Sequence, residues 1–278
     1  MKIMTWNIKG EASLGWNNLY EIKRELVDKV MEQKADVIVL TAFVIAKGID
    51  YLFESLQNEG YIWFQQSRSG KNGILIALKR ELIKDKELID RVYNKDIISS
   101  VVDGCNILRV IVPLVCGKNL CVIGCRMETG GRGSLEEQYN LEKEHFENIL
   151  IPTIQSIEHN YLHILCGDFN NAKYYGELEK TFEEVKEKYK KQEWNNAKNR
   201  YEGPSLPVAQ YNYNLHIIKD LLKENGLELC EKENDWTYKH LIHNDHIFVK
   251  GLTYVSSGII ENNLSDHNIL WSEVKLEN

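Results

Sequence analysis

Apolar and polar positions follow two periods along this chain. Runs of β-branched and aromatic residues predict strands at residues 2–8, 36–43, 61–66, 73–79, 107–114, 120–127, 162–169, 236–239, 246–250, 253–256 and 269–274. ADVIVL and LHILC are too continuously apolar to keep a wet face, which implies sheets covered on both sides. Between these runs the period becomes helical. In NLYEIKRELVDKVMEQ, Leu19, Ile22, Leu26 and Val30 form one stripe. DYLFESLQNEG has Gly60 as its stop, and LHIIKDLLKENG closes at Gly226. SLEEQYNLEKEHFENILIPTIQSIEHN is a longer helical stretch that Pro152 should kink or end in its first part. GELEKTFEEVKEKYKKQEW is helical by propensity, with Glu184 and Lys188 four apart.

Residues 61–127 give strand after strand with few helices, so βαβ units are mixed with antiparallel meanders. About eleven strands and five helices suit two sheets packed face to face with helices outside both. That is an α/β chain, a four-layer αββα sandwich of two mixed sheets. No linker divides it, so residues 1–278 are expected to form a single domain, with a variable helical and loop insertion at 173–213. The loop at 195–210 holds two of the four prolines, and a loop that long is usually functional.

Composition narrows the function. With 43% hydrophobic and 27% charged residues the chain is neither disordered, fibrous nor a small disulfide scaffold. It lacks the run of about 18 apolar residues that a membrane helix needs, and it opens into a strand rather than a secretory leader. A cytoplasmic protein with no membrane partner is expected. Thirty-four basic against 41 acidic residues give a net charge of −7, so no global basic field exists to grip a duplex. A local basic face remains open, and small phosphorylated ligands gain ground. None of the six cysteines forms a CxxC pair, so free, mostly buried thiols are expected.

Four polar segments stand at strand ends: Thr5-Trp6-Asn7-Ile8, Gly167-Asp168-Phe169-Asn170, His243-Asn244-Asp245-His246 and Ser265-Asp266-His267-Asn268. In an extended chain Asp168 and Asn170 face one side and Phe169 the other. A carboxylate and an amide there can position a water and contact an anionic oxygen, although the same letters also make a turn. Asp245 can hold an imidazole in one tautomer. His240, His243 and His246 stand three apart, which invites zinc. That spacing puts alternate members on opposite faces of a strand, and partner cysteines are missing, so zinc is not expected.

Taken together, W-N near the start, G-D-F-N in the middle, D before an apolar strand and S-D-H near the end resemble the endonuclease/exonuclease/phosphatase superfamily, with the fold of pancreatic deoxyribonuclease. The resemblance spans Trp6 to His267 and implies phosphoester hydrolysis with Mg²⁺ or Mn²⁺. It implies that Asp168 orients or deprotonates the attacking water and that Asn170 holds a phosphate oxygen or helps bind metal. Asp245 would orient His267, which would contact the phosphate. Asn7 and Asp266 would lie in or beside the metal site. A divalent cation and a charged imidazole both stabilise charge building on the leaving oxygen.

Two departures matter. Where the family's second strand ends with a glutamate, this chain has Leu40-Thr41-Ala42, and the nearest acids along the chain are Asp36 and Asp50. An engineered Glu→Ala change is the first reading, a naturally degenerate enzyme the second, and either leaves the chain nearly inactive. The strand at 120–127 carries Arg126 where the family commonly has His or Tyr. Arg126 could pair with phosphate oxygens or with an acid such as Glu128, and the Gly-rich loop at 129–134 follows on the same rim. Lys173, Tyr174, Tyr175, Lys198, Arg200, Tyr201, Tyr211 and Tyr213 could stack bases and hold a backbone, or could form a solvated surface. The expected function is a phosphodiesterase or nuclease acting on DNA, RNA or a nucleotide-derived substrate. The alternatives are a phosphatase of a small ligand such as an inositol phosphate, or a non-catalytic phosphate-binding protein.

Overall fold

The computed structural model describes residues 1–9, 21–68, 71–84, 98–102, 105–127, 135–174, 193–195, 200–202, 215–232, 236–238 and 242–276. In chain order the strands are β1 (Lys2–Asn7), β2 (Val37–Phe43), β3 (Tyr61–Arg68), β4 (Lys71–Lys79), β5 (Ile98–Val102), β6 (Cys105–Pro113), β7 (Asn119–Arg126), β8 (Leu162–Tyr174), β9 (Glu193–Asn195), β10 (Arg200–Glu202), β11 (Glu228–Leu229), β12 (Ile242–Lys250), β13 (Leu252–Ile260) and β14 (Ile269–Leu276). The helices are α1 (Arg24–Glu32), α2 (Ile49–Asn58), α3 (Leu135–Glu144), α4 (Ile151–Gln155) and α5 (Leu215–Glu224). One six-stranded sheet runs β13-β14-β1-β2-β4-β3 and the other β11-β12-β8-β7-β6-β5, with β9 and β10 as a separate pair. Both large sheets are mixed: β1 lies parallel to β2 and β7 parallel to β8, whereas their other pairings are antiparallel.

Side-chain alternation explains the layers. Ile3, Val39, Ile76, Leu108, Val122, Ile164 and Ile247 meet between the sheets. The opposite faces carry Met4, Trp6, Ile38 and Leu40, packed with Leu26 and Val30 of α1 and Leu52 and Leu56 of α2. On the second sheet, Ile123, Leu165, Phe169 and Phe248 pack with Phe146, Ile154, Ile218 and Leu222. Each fully buried aliphatic side chain contributes about 1.5–3 kcal/mol relative to exposure. This is the αββα sandwich expected from the pattern. The sheets approach closely at Gly124, where an added Cβ would lie 2.7 Å from Ile74 Cγ2. Five cysteines, Cys116, Cys121, Cys125, Cys166 and Cys230, are free thiols, all but Cys116 buried. Among the described residues no helix is long and apolar enough to cross a membrane.

Several expectations are corrected. Residues 236–238 form only one bridge, between Tyr238 and His267, rather than a strand. Glu193–Asn195 is a strand where helix propensity ran on to residue 194, because pairing with β10 overrides local preference. The second and third of the new strands, β9 and β10, and the short β5 and β11, carry weak periodicity and were not expected. Pro152 stands near the start of α4, directly after a π-helical turn, His145–Leu150. The helical path is thus rewound there rather than stopped, since a widened turn accommodates the proline ring and its missing N–H. The Gly-rich loop at 129–134 lies outside the described residues, as does most of the insertion at 173–213.

Candidate active site

The inward files that are apolar at mid-sheet become polar at one end of the sandwich. Ile3, Thr5 and Asn7 alternate inward on β1, and Ile164, Cys166 and Asp168 on β8. Val249, Ile247 and Asp245 do the same on β12, which runs antiparallel to β8 and pairs Asp245 with Asp168. Register therefore delivers Asn7, Asp168 and Asp245 to one place from both sheets. Gly167 permits the close approach. Its φ is +146°, and a Cβ there would sit 1.9 Å from the Cys125 carbonyl oxygen.

The groups bond to one another. Asn7 Nδ2 donates to Asp168 Oδ2 at 2.7 Å, and the Asn170 backbone N–H donates to Asp168 Oδ1 at 3.0 Å. Asn170 Nδ2 donates to the Met127 carbonyl at 2.8 Å, while Phe169 points the other way into the outer core. His267 Nδ1 lies 2.7 Å from Asp245 Oδ2. The loop carrying His267 is tied to β1: Trp6 Nε1 donates to the His267 carbonyl at 2.9 Å, and Ser265 Oγ donates to the Asn7 carbonyl at 2.7 Å. Arg126 Nε stands 3.9 Å from Asp168 Oδ2 and has no hydrogen-bond partner among the described residues. Asn7, Asp168, Asn170, Asp245 and His267 are all buried.

Electrostatics follow from this crowding. Burial pushes the Asp168 carboxyl above its usual value and Asp245 adds to this, against the pull of His267, Arg126 and Asn7. Burial alone would lower His267, but Asp245, with Asp168 and Asp266, outweighs it and raises the imidazole to about 9. His267 is therefore a cation at neutral pH, held in place by Asp245.

Three residues escaped the sequence reading. Thr237 Oγ1 accepts the backbone N–H groups of Asn244 at 2.9 Å and Asp245 at 3.1 Å, where β12 shifts register between His243 and Asp245. That shift corrects the expectation that His243 and His246 face opposite ways. Both rings reach one oxygen of Glu231, His243 Nε2 at 2.8 Å and His246 Nδ1 at 2.7 Å, while Ile247 N–H donates to the other at 2.8 Å. Lys9 is the third: its ammonium lies 2.9 Å from Asp266 Oδ2.

The divalent cation implied by the resemblance needs about six oxygen donors and a surplus of negative charge. Asp168, Asp245 and His267 bring one donor atom each within 4.8 Å of one another, and Asp245 Oδ1 is a buried acceptor without a hydrogen-bond partner. Charge decides against the fit. Asp245 faces the charged His267, Asp266 faces Lys9, and Arg126 stands by Asp168. Position 42, beside Asn7 at the end of β2, offers only a methyl. Asp36 sits at the far end of that strand, where it caps Lys2 N–H. The residues present do not complete a hard-metal cage.

No protein-family model and no curated protein matches the sequence. Solved structures do. A Beutenbergia cavernae endonuclease/exonuclease/phosphatase matches with a TM-score of 0.65 at 13% identity, covering 99% of this chain and 71% of that one. D. rerio TDP2, solved with a single-strand DNA product, gives 0.56 at 14% identity over 99% and 98%. ANGEL2, described as a 2′,3′-cyclic phosphatase and solved with adenosine-2′,3′-vanadate, gives 0.58 at 16% identity over 100% and 96%.

Proposed function

From the premise that this chain carries the fold of the endonuclease/exonuclease/phosphatase superfamily, we propose that its pocket handles phosphoester groups, as a phosphodiesterase or nuclease disabled at position 42. The observation that carries the reading is the Asp245–His267 pair, 2.7 Å apart, beside Asp168 and Arg126. Asp168 orients or deprotonates the water, Asn170 holds a phosphate oxygen, and Asp245 keeps His267 oriented and charged against the phosphate. Arg126 Nε supplies a donor for a second oxygen. The single-strand DNA on TDP2 and the cyclic nucleotide mimic on ANGEL2 support a nucleic-acid or nucleotide-derived substrate.

Ala42→Glu tests this. Ala42 already holds a left-handed backbone, φ +51°, so a longer L side chain adds no new backbone strain. The present chain is expected to be nearly inactive, and the variant to gain hydrolysis that depends on Mg²⁺ or Mn²⁺. The panel is single- and double-stranded DNA, RNA, cyclic nucleotides and inositol phosphates. No gain on any of them, for Ala42→Glu alone and for Ala42→Glu combined with Lys9→Ala, would defeat the reading. A second reading, a phosphate-binding protein without turnover, is favoured by Ala42 alone and predicts ligand binding with no gain.

A further inference from the structure

We propose that Lys9 takes the place of a divalent cation in this pocket, so that the chain grips a ligand's phosphate group through Lys9, Arg126 and His267 without metal. The inference rests on the phosphoester reading above and adds how this chain meets the anion.

Lys9 is placed deliberately by the backbone. It lies two residues past the end of β1 in a left-handed conformation, φ +55°, which is uncommon for a residue with a Cβ. The Lys9 backbone N–H donates to Asn7 Oδ1 at 2.9 Å, closing an Asx turn. The turn throws the ammonium across to Asp266, 2.9 Å away. Asp266 precedes His267 in the loop that Ser265 ties to Asn7. Of the four non-glycine residues with positive φ among those described, Lys9 and Ala42 stand just past or near the ends of β1 and β2, and Asn170 lies within β8 two residues after Asp168.

Charge supports the same assignment. Three acids, Asp168, Asp245 and Asp266, face three cationic side chains, Lys9, Arg126 and His267. A divalent ion entering this set would have to evict Lys9 from Asp266. A phosphate oxygen would instead meet the guanidinium of Arg126, 18% exposed and without a hydrogen-bond partner at Nε among the described residues, and share the ammonium. Lys9 is 43% exposed and Asp266 18%, so a ligand can reach both. A compact ammonium with three donors suits that exchange.

The test is binding of inorganic phosphate to the full chain by calorimetry, in EDTA and then with excess Mg²⁺, for the present protein, Lys9→Ala and Lys9→Met. Binding in EDTA that Mg²⁺ does not strengthen, and that either substitution weakens by about tenfold or more, is expected, the size of one lost charge-assisted hydrogen bond. Mn²⁺ binding followed by electron paramagnetic resonance should move the opposite way, rising in Lys9→Ala as Asp266 is released. Because Lys9 is partly exposed, both variants should keep the parent melting temperature. Phosphate binding that requires Mg²⁺, or that ignores both substitutions, overturns the role of Lys9 and leaves the phosphoester reading standing. Absence of phosphate binding in every condition, Ala42→Glu included, overturns both.

Discussion

Strand β12 carries two acid–histidine groups on its two faces, and they hold their protons differently. On the inner face Asp245 bonds His267, and the imidazole is raised to about 9 because three carboxylates surround one ring. On the outer face one carboxylate, Glu231, stands between two rings. Burial would raise Glu231, but His243 and His246 hold it down to about 2, while burial lowers His246 despite Glu231. The ratio of acids to rings sets where the charge rests. Both Glu231 oxygens are spoken for, whereas Asp245 Oδ1 and Arg126 Nε still lack partners. The outer group has a saturated carboxylate, with His246 Nε2 alone lacking a partner among the described residues, and the inner group keeps an unbonded carboxylate oxygen and guanidinium nitrogen.

The largest break should come from Glu231→Ala, which strands two buried rings and the Ile247 N–H. Stability should fall by about 3–5 kcal/mol, read from the midpoint of urea unfolding. A loss below about 1 kcal/mol would mean that the outer group is not a keystone of β12. Asp245→Asn should cost less stability, about 1–3 kcal/mol, yet move the His267 titration well below about 9, since its principal partner is neutral. Ring NMR would register this, and an unshifted midpoint would show that Asp245 does not set the charge. The smallest effects are in the pH limbs. His267 is raised, so its contribution is complete below its ordinary 6.5 and disappears as pH climbs through about 9. Glu231 is lowered, so its contribution is complete above 4.5 and disappears as pH drops through about 2. His267→Gln should flatten only the alkaline limb of melting temperature against pH, and Glu231→Gln only the acid limb.

Much of the inner group could be read from letters. Asn7, Asp168, Asp245 and His267 are polar residues interrupting or ending apolar strands, so each announces itself locally, and the family resemblance joined them. The two sheets were legible for the same reason. Glu231 was not, because it stands in a charged run, ELCEK, that reads as surface, and its partners become neighbours only through the register shift in β12. Lys9 was hidden by its backbone, since nothing in a lysine signals positive φ. Strand β9 was hidden by helix propensity that tertiary pairing overrules, and β10 by the loop composition of residues 195–210.

The irregular step between His243 and Asp245 has a corollary. A strand of regular period could not send His243 and His246 outward while turning Asp245 inward. Restoring a regular two-residue step there would turn His243 inward with Asp245, toward the ligand, and strip Glu231 of a donor. The same letters thus hold a structural imidazole beside Glu231 only as long as that step stays irregular.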